Sequence, residues 1–152
     1  MKRGREKTMT PVLEDYLKAI FTITEEKPVA RVKDIAEIIG VSLPSVTNAL
    51  KRLKDLGYVE YEKYGLIMLS EKGYAKAQSL KKVNEFVQTF FSKLVGLDAK
   101  ESASLSCRVE HFFEGETYDR IEQFINILLK VKAEGISACQ ELVDFLKNTG
   151  DS

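Results

Sequence analysis

The sequence predicts a mainly α-helical protein built from an N-terminal winged helix-turn-helix with a small β-hairpin wing, followed by an all-helical second domain. Three observations carry this. Val32–Ile39 and the stretch that Ser42 caps and Gly57 ends read as two short helices meeting at Gly40-Val41, with the small Ala36 where they cross and Val46 on the inner face of the second. Directly behind them, Tyr58–Glu62 and Leu66–Leu69 are β-rich and joined by Lys63-Tyr64-Gly65, the pattern of a hairpin. From Ser70 onward apolar residues recur at helical spacing.

Each element has its own signals. Thr10 is a capping residue and Pro11 suits a first helical turn; Leu13, Tyr16, Leu17, Ile20 and Phe21 then form one stripe. Glu14 and Asp15 fall in that first turn, where the helix dipole favours negative charge. Residues 25–28 form a loop. The next helix buries Ile35, Ala36 and Ile39. Ser42 caps the helix after it, which buries Val46, Ala49, Leu50 and Leu53 and stops at Gly57. A long helix runs from Ser70 to about Val95, where Gly96 ends it. Asp98 caps the helix that carries Cys107. A further helix starts near Glu116, Glu134-Gly135 breaks the pattern, and a last short helix covers Ile136 to about Leu146. The expected division is 1–77 for the winged helix-turn-helix and 78–152 for the helical domain. Residues 74–129 carry more large apolar groups than three helices cover alone, so the second domain is expected to form a homodimer.

Composition narrows the class. The 152 residues are 44% hydrophobic and 30% charged, as in soluble globular proteins. No apolar run is long enough to span a membrane, and no apolar core follows the basic N-terminus to make a signal peptide. Two cysteines, Cys107 and Cys139, make no disulfide framework, which fits a cytoplasmic protein. The formal net charge of zero hides an asymmetry. Residues 1–82 hold 16 Lys and Arg against 11 Asp and Glu; residues 83–152 hold 7 against 12. A basic first half points to a polyanion partner.

A recognition helix places its N-terminal residues in the major groove of double-stranded DNA. Here those are Ser42, Pro44, Ser45 and Asn48, able to meet base edges, phosphates or a thymine methyl. Lys51, Arg52 and Lys54, with Arg31 before the second helix and Lys63 at the wing tip, are candidates for phosphate.

The densest chemistry is Cys107-Arg108-Val109-Glu110-His111. A thiol, a carboxylate and the only histidine stand at i, i+3 and i+4, which share one face of a helix. Sulfur, oxygen and nitrogen donors together suit a divalent metal. Cys107 and His111 as nucleophile and base would instead suggest an enzyme, but no Gly-rich or oxyanion-binding element accompanies them, and no catalytic role is expected.

These residues resemble the diphtheria-toxin-repressor family of metal-dependent transcriptional regulators, including its manganese-transport-regulator branch. The resemblance rests on Glu14-Asp15-Tyr16-Leu17, Ala30-Arg31-Val32-Lys33-Asp34-Ile35-Ala36-Glu37, Pro44-Ser45-Val46-Thr47, Tyr61-Glu62-Lys63-Tyr64, Gly96-Leu97-Asp98 and Cys107-x-x-Glu110-His111, and covers about residues 10–130. It implies a homodimeric repressor that binds a palindromic operator when a metal joins its two domains. It also implies a metal site formed by Asp15, Cys107, Glu110 and His111. Asp15 resembles the manganese-type branch and Cys107 the iron-type branch. The expected cofactor is therefore Fe(II) or Mn(II), with Zn(II) or Co(II) able to bind in vitro.

Departures from the family pattern set the expected number of ions. Its second metal position uses a histidine on the long helix, where this chain has Asn84 or Glu85; with Asn84 aligned, the following acid becomes Gln88. An iron-type histidine before the cysteine becomes Ala103, and a manganese-type acid one turn after Asp15 becomes Lys18, whose ammonium can take the charge role of a second cation. One metal per chain is expected. The SH3-like domain of the longer branch has no counterpart in the sequence to Ser152. The alternative reading is a winged-helix regulator that is metal-independent or responds to oxidation of Cys107.

Overall fold

The helix starts at Thr10, Ser42, Ser70 and Asp98 follow their capping chemistry. The structure is a computed structural model that describes residues 8–61, 65–113, 115–135 and 139–149. Helix α1 spans Pro11–Glu26 with Thr10 at its N-cap, where the hydroxyl accepts from the Leu13 amide at 3.4 Å. Proline at the first position loses no helical hydrogen bond. The apolar stripe of α1, with Leu17 and Ile20 fully buried, is the floor of the first core.

A two-residue strand β1 (Ala30–Arg31) leads into α2 (Val32–Ile39). Gly40 at φ 75° ends α2, a left-handed conformation that costs glycine least. Helix α3 (Leu43–Asp55) follows, capped by Ser42, with Val46, Ala49, Leu50 and Leu53 buried. Strands β2 (Val59–Tyr61) and β3 (Leu66–Leu69) pair antiparallel as a hairpin, in the register Val59↔Leu69 and Tyr61↔Ile67. The wing expected from sequence is present. Its tip residue Lys63 lies outside the described residues. Strand β1 adds to the other edge of β3 through Ala30↔Ile67, so the sheet has three strands in the order β1-β3-β2. Two residues carry no periodic signal; buried Ala30 is selected by its partner strand.

Helix α4 (Glu71–Thr89) begins against the hairpin. Ser70 Oγ donates to the Gly57 carbonyl at 2.7 Å and accepts from the Gly73 amide at 3.0 Å. Gly73 lets the backbones meet: a Cβ there would stand 1.9 Å from the Tyr58 carbonyl oxygen. Lys54 and Lys72 reach the carbonyls of Tyr61 (3.0 Å) and Leu56 (2.9 Å).

The chain divides into two units, 1–81 and 82–152, with the boundary inside α4. The first unit's core joins α1, α2, α3, the sheet and the start of α4 around Leu13, Leu17, Ile20, Ile35, Leu50, Leu53 and Ile67. Within it Lys76 pairs with the buried Glu14 at 2.8 Å.

In the second unit the long helix differs from the sequence expectation. It is α-helical only to Thr89; Phe90–Val95 widens into π-helix before Gly96 turns the chain at φ 85°. The Leu97 amide reaches the Phe91 carbonyl at 3.0 Å, and the Phe90 and Phe91 rings meet edge-on at 5.3 Å. Apolar spacing does not distinguish the last turn of an α-helix from a wider one. Helix α5 (Ala99–Val109) is capped by Asp98, whose carboxylate accepts from the Glu101 amide at 2.8 Å. A 3₁₀ turn (Glu110–Phe112), α6 (Gly115–Glu134) and α7 (Cys139–Thr149) complete the unit. Phe86 packs edge-on against Tyr118, and Phe124 stacks on Phe145. Among the described residues no helix is long and apolar enough to cross a membrane.

Candidate metal centre and nucleic-acid interface

The Cys-Glu-His stretch straddles the end of a helix. Cys107 sits in the last turn of α5, while Glu110 and His111 belong to the 3₁₀ turn that follows. The tighter turn alters the spacing expected from a single continuous α-helix. It also separates the three environments. Cys107 is exposed; the Glu110 carboxylate is 1% exposed; the His111 side chain is 10% exposed, with Nε2 3.8 Å from Glu110 Oε1.

Glu110 is held from α4. The Asn84 amide nitrogen donates to Glu110 Oε2 in a short contact and lies 3.3 Å from Ser106 Oγ, which itself donates to the Ala103 carbonyl at 3.0 Å. The sequence leaves Asn84 and Glu85 as alternatives for one position; Asn84 is the one directed at Glu110. Its role in orienting that carboxylate is not visible in sequence, because α4 and α5 meet only in the fold. Asp15 belongs to the first unit, on α1, where its Oδ1 pairs with Lys18 Nζ at 3.1 Å. A thiol, an imidazole and a buried carboxylate in one segment form a donor set that fits a borderline divalent cation.

The first unit presents a second candidate surface. Arg31 is exposed at the end of β1, and Ser42, Pro44, Ser45, Asn48, Lys51, Arg52 and Lys54 are all exposed on or beside α3. They are not equally available. Ser42 Oγ accepts from the Ser45 amide at 3.4 Å and shares a 2.9 Å hydrogen bond with Ser45 Oγ, so these hydroxyls serve the helix cap. One Lys54 proton goes to the wing strand, which leaves two for another acceptor. Leu43, absent from the sequence-derived set, is 51% exposed at the first position of α3.

Comparison with known proteins places the chain among metal-dependent DNA-binding regulators. The family model described as "Iron dependent repressor, N-terminal DNA binding domain" matches residues 8–67, and "Iron dependent repressor, metal binding and dimerisation domain" matches residues 70–130. An HTH-type transcriptional regulator of Methanocaldococcus jannaschii is 32% identical over 119 residues, 77% of this chain and 94% of that protein. The HTH-type transcriptional regulator MntR of Bacillus velezensis is 34% identical over 116 residues, 76% of this chain and 81% of that one. The solved structure of the manganese regulator SloR superposes with a TM-score of 0.68 at 30% identity, over 78% of this chain and 55% of SloR. The match thus spans about half the length of SloR.

Proposed function

This chain belongs to the iron dependent repressor family, whose members are DNA-binding transcriptional regulators rather than enzymes, and on that premise we propose that it is a metal-dependent, homodimeric repressor of metal homeostasis genes. A divalent metal, Fe(II) or Mn(II), is held once per chain by Asp15, Cys107, Glu110 and His111. The observation that carries the metal reading is the buried Glu110 carboxylate beside His111, inside the segment matched by the metal binding and dimerisation model.

In this reading a bound cation supplies a positive centre with several coordination positions. Asp15 contributes from α1, part of the winged helix-turn-helix core. The other three ligands come from the second unit. Drawing ligands from both units turns metal binding into a restraint between them, and the restrained form is the one that meets a palindromic operator. Asn84 keeps Glu110 in the orientation needed for coordination, the usual work of a hydrogen-bonded neighbour of a ligand. Lys18 beside Asp15 supports a count of one ion, since its ammonium already supplies positive charge to that carboxylate.

On the DNA side, Asn48 reads a base edge and Pro44 a thymine methyl, while Arg31, Lys51, Arg52, Lys54 and Lys63 contact phosphate. One observation keeps a second reading in view: Cys107 is exposed, as a thiol sensor must be. The test is duplex binding by chelator-treated protein, with and without added Fe(II) or Mn(II), beside peroxide treatment. Binding that appears with metal and weakens steeply with salt supports the proposal. Binding that ignores metal but is lost on oxidation and restored by reductant supports the thiol reading.

A further inference from the structure

We propose that Leu43 is a specificity-determining residue of this protein and reads the C5-methyl group of a thymine in the major groove. The inference rests on the DNA-binding reading above. Leu43 occupies the first position of α3, the recognition helix, and stands 51% exposed. It lies three residues before Val46, at the edge of the stripe that Val46, Leu50 and Leu53 bury completely. Core packing therefore claims the rest of that stripe and leaves half of this side chain in water.

Its neighbours explain why this position matters. The hydroxyls of Ser42 and Ser45, the polar groups on either side, are bonded to each other and to the cap. Thr47, one turn further on, spends its hydroxyl proton on the Leu43 carbonyl at 3.0 Å. The leading end of α3 thus turns apolar groups outward: the Leu43 side chain, the Pro44 ring and, at Thr47, a side chain whose hydroxyl is turned back onto the helix. The leading turn of a recognition helix meets base edges, and the thymine methyl is the apolar group in the major-groove pattern. A single exposed leucine elsewhere on a surface needs no explanation; one at this position has an apolar counterpart within reach.

The experiment starts from duplexes enriched out of a randomised pool by the full chain with Mn(II). Each thymine of an enriched duplex is then replaced in turn by uracil, which deletes the methyl and keeps the base pair. For the unmodified protein, uracil lowers affinity at the position read by Pro44 and, separately, at one further position per half-site, there about fourfold, the effect of one buried methylene-sized group. Leu43→Ala binds the thymine and uracil duplexes equally at that position. Lys51→Ala, weakened on all duplexes, keeps the discrimination, and thermal melting of both variants checks the fold. Uracil without effect at every position, or Leu43→Ala that still discriminates at all of them, overturns the assignment. Failure to enrich any duplex overturns the DNA-binding reading itself and this inference with it.

Discussion

Glu110 and Glu14 are both buried carboxylates, and different groups lie beside them. Glu14 is answered by the Lys76 ammonium at 2.8 Å. Removing that cation takes a 2.8 Å ion-pair partner from a buried carboxylate, so Lys76→Met is expected to destabilise the fold by about 3 kcal/mol, and the Glu14→Gln, Lys76→Met double variant less than the single. Denaturant melts of the three proteins check this. Glu110 has the neutral Asn84 amide and the His111 ring beside it, surroundings suited to a ligand. Asn84→Ala is expected to lower metal affinity tenfold to a hundredfold with the helical circular dichroism unchanged. Unchanged affinity would remove Asn84 from the site. Tyr118 supplies a pH signature of the second unit. Burial, and then its 2.9 Å hydrogen bond to Glu122, push its hydroxyl up to about 12. A raised pKa favours the neutral form in the folded state. Its contribution is therefore complete below pH 10, the unfolded value, and fades as pH rises toward 12. Tyr118→Phe should flatten the stability curve over that window; an unaltered slope would contradict the assignment.

At the scale of elements, legibility follows the range of the interactions. Helices α1, α3 and α5 were readable because caps and stripes are local: Thr10, Ser42 and Asp98 all cap as their residue types suggest. The hairpin was readable from β-rich runs around a glycine. Three features were not. Strand β1 exists through its pairing with β3. The π-helical end of the long helix depends on where the Phe91 carbonyl finds its donors. The 3₁₀ turn at Glu110 interrupts a pattern whose apolar and polar spacing suits either helix type. Gly73 gives the sharpest prediction at this scale. Gly→Ala inside a helix ordinarily gains about 0.5–1 kcal/mol. Here the new methyl group would overlap the Tyr58 carbonyl, part of the backbone. Gly73→Ala should lower the melting temperature, and a rise would show that α4 can draw back from the wing without penalty.

For the whole molecule, the sequence carried more of the site's chemistry than of its geometry. The basic first half, the recognition-helix face and the Cys-Glu-His donors could be named from residue types and spacing. The support given to Glu110 by Asn84 and the occupation of the Ser42 and Ser45 hydroxyls required the fold, because each depends on where a side chain points. In the proposed function, metal control draws its ligands from both units. It follows that His111→Ala should abolish metal-dependent duplex binding and leave the dimer intact in analytical ultracentrifugation. A monomeric variant would make His111 a structural residue. The most direct measurement is an anaerobic titration of the reduced protein with Fe(II) and with Mn(II), following bound metal and duplex anisotropy in the same samples. The expected result is one ion per chain, with duplex binding rising in step and both lost in His111→Ala. Two ions per chain, or duplex binding that is complete before any metal is added, would contradict it.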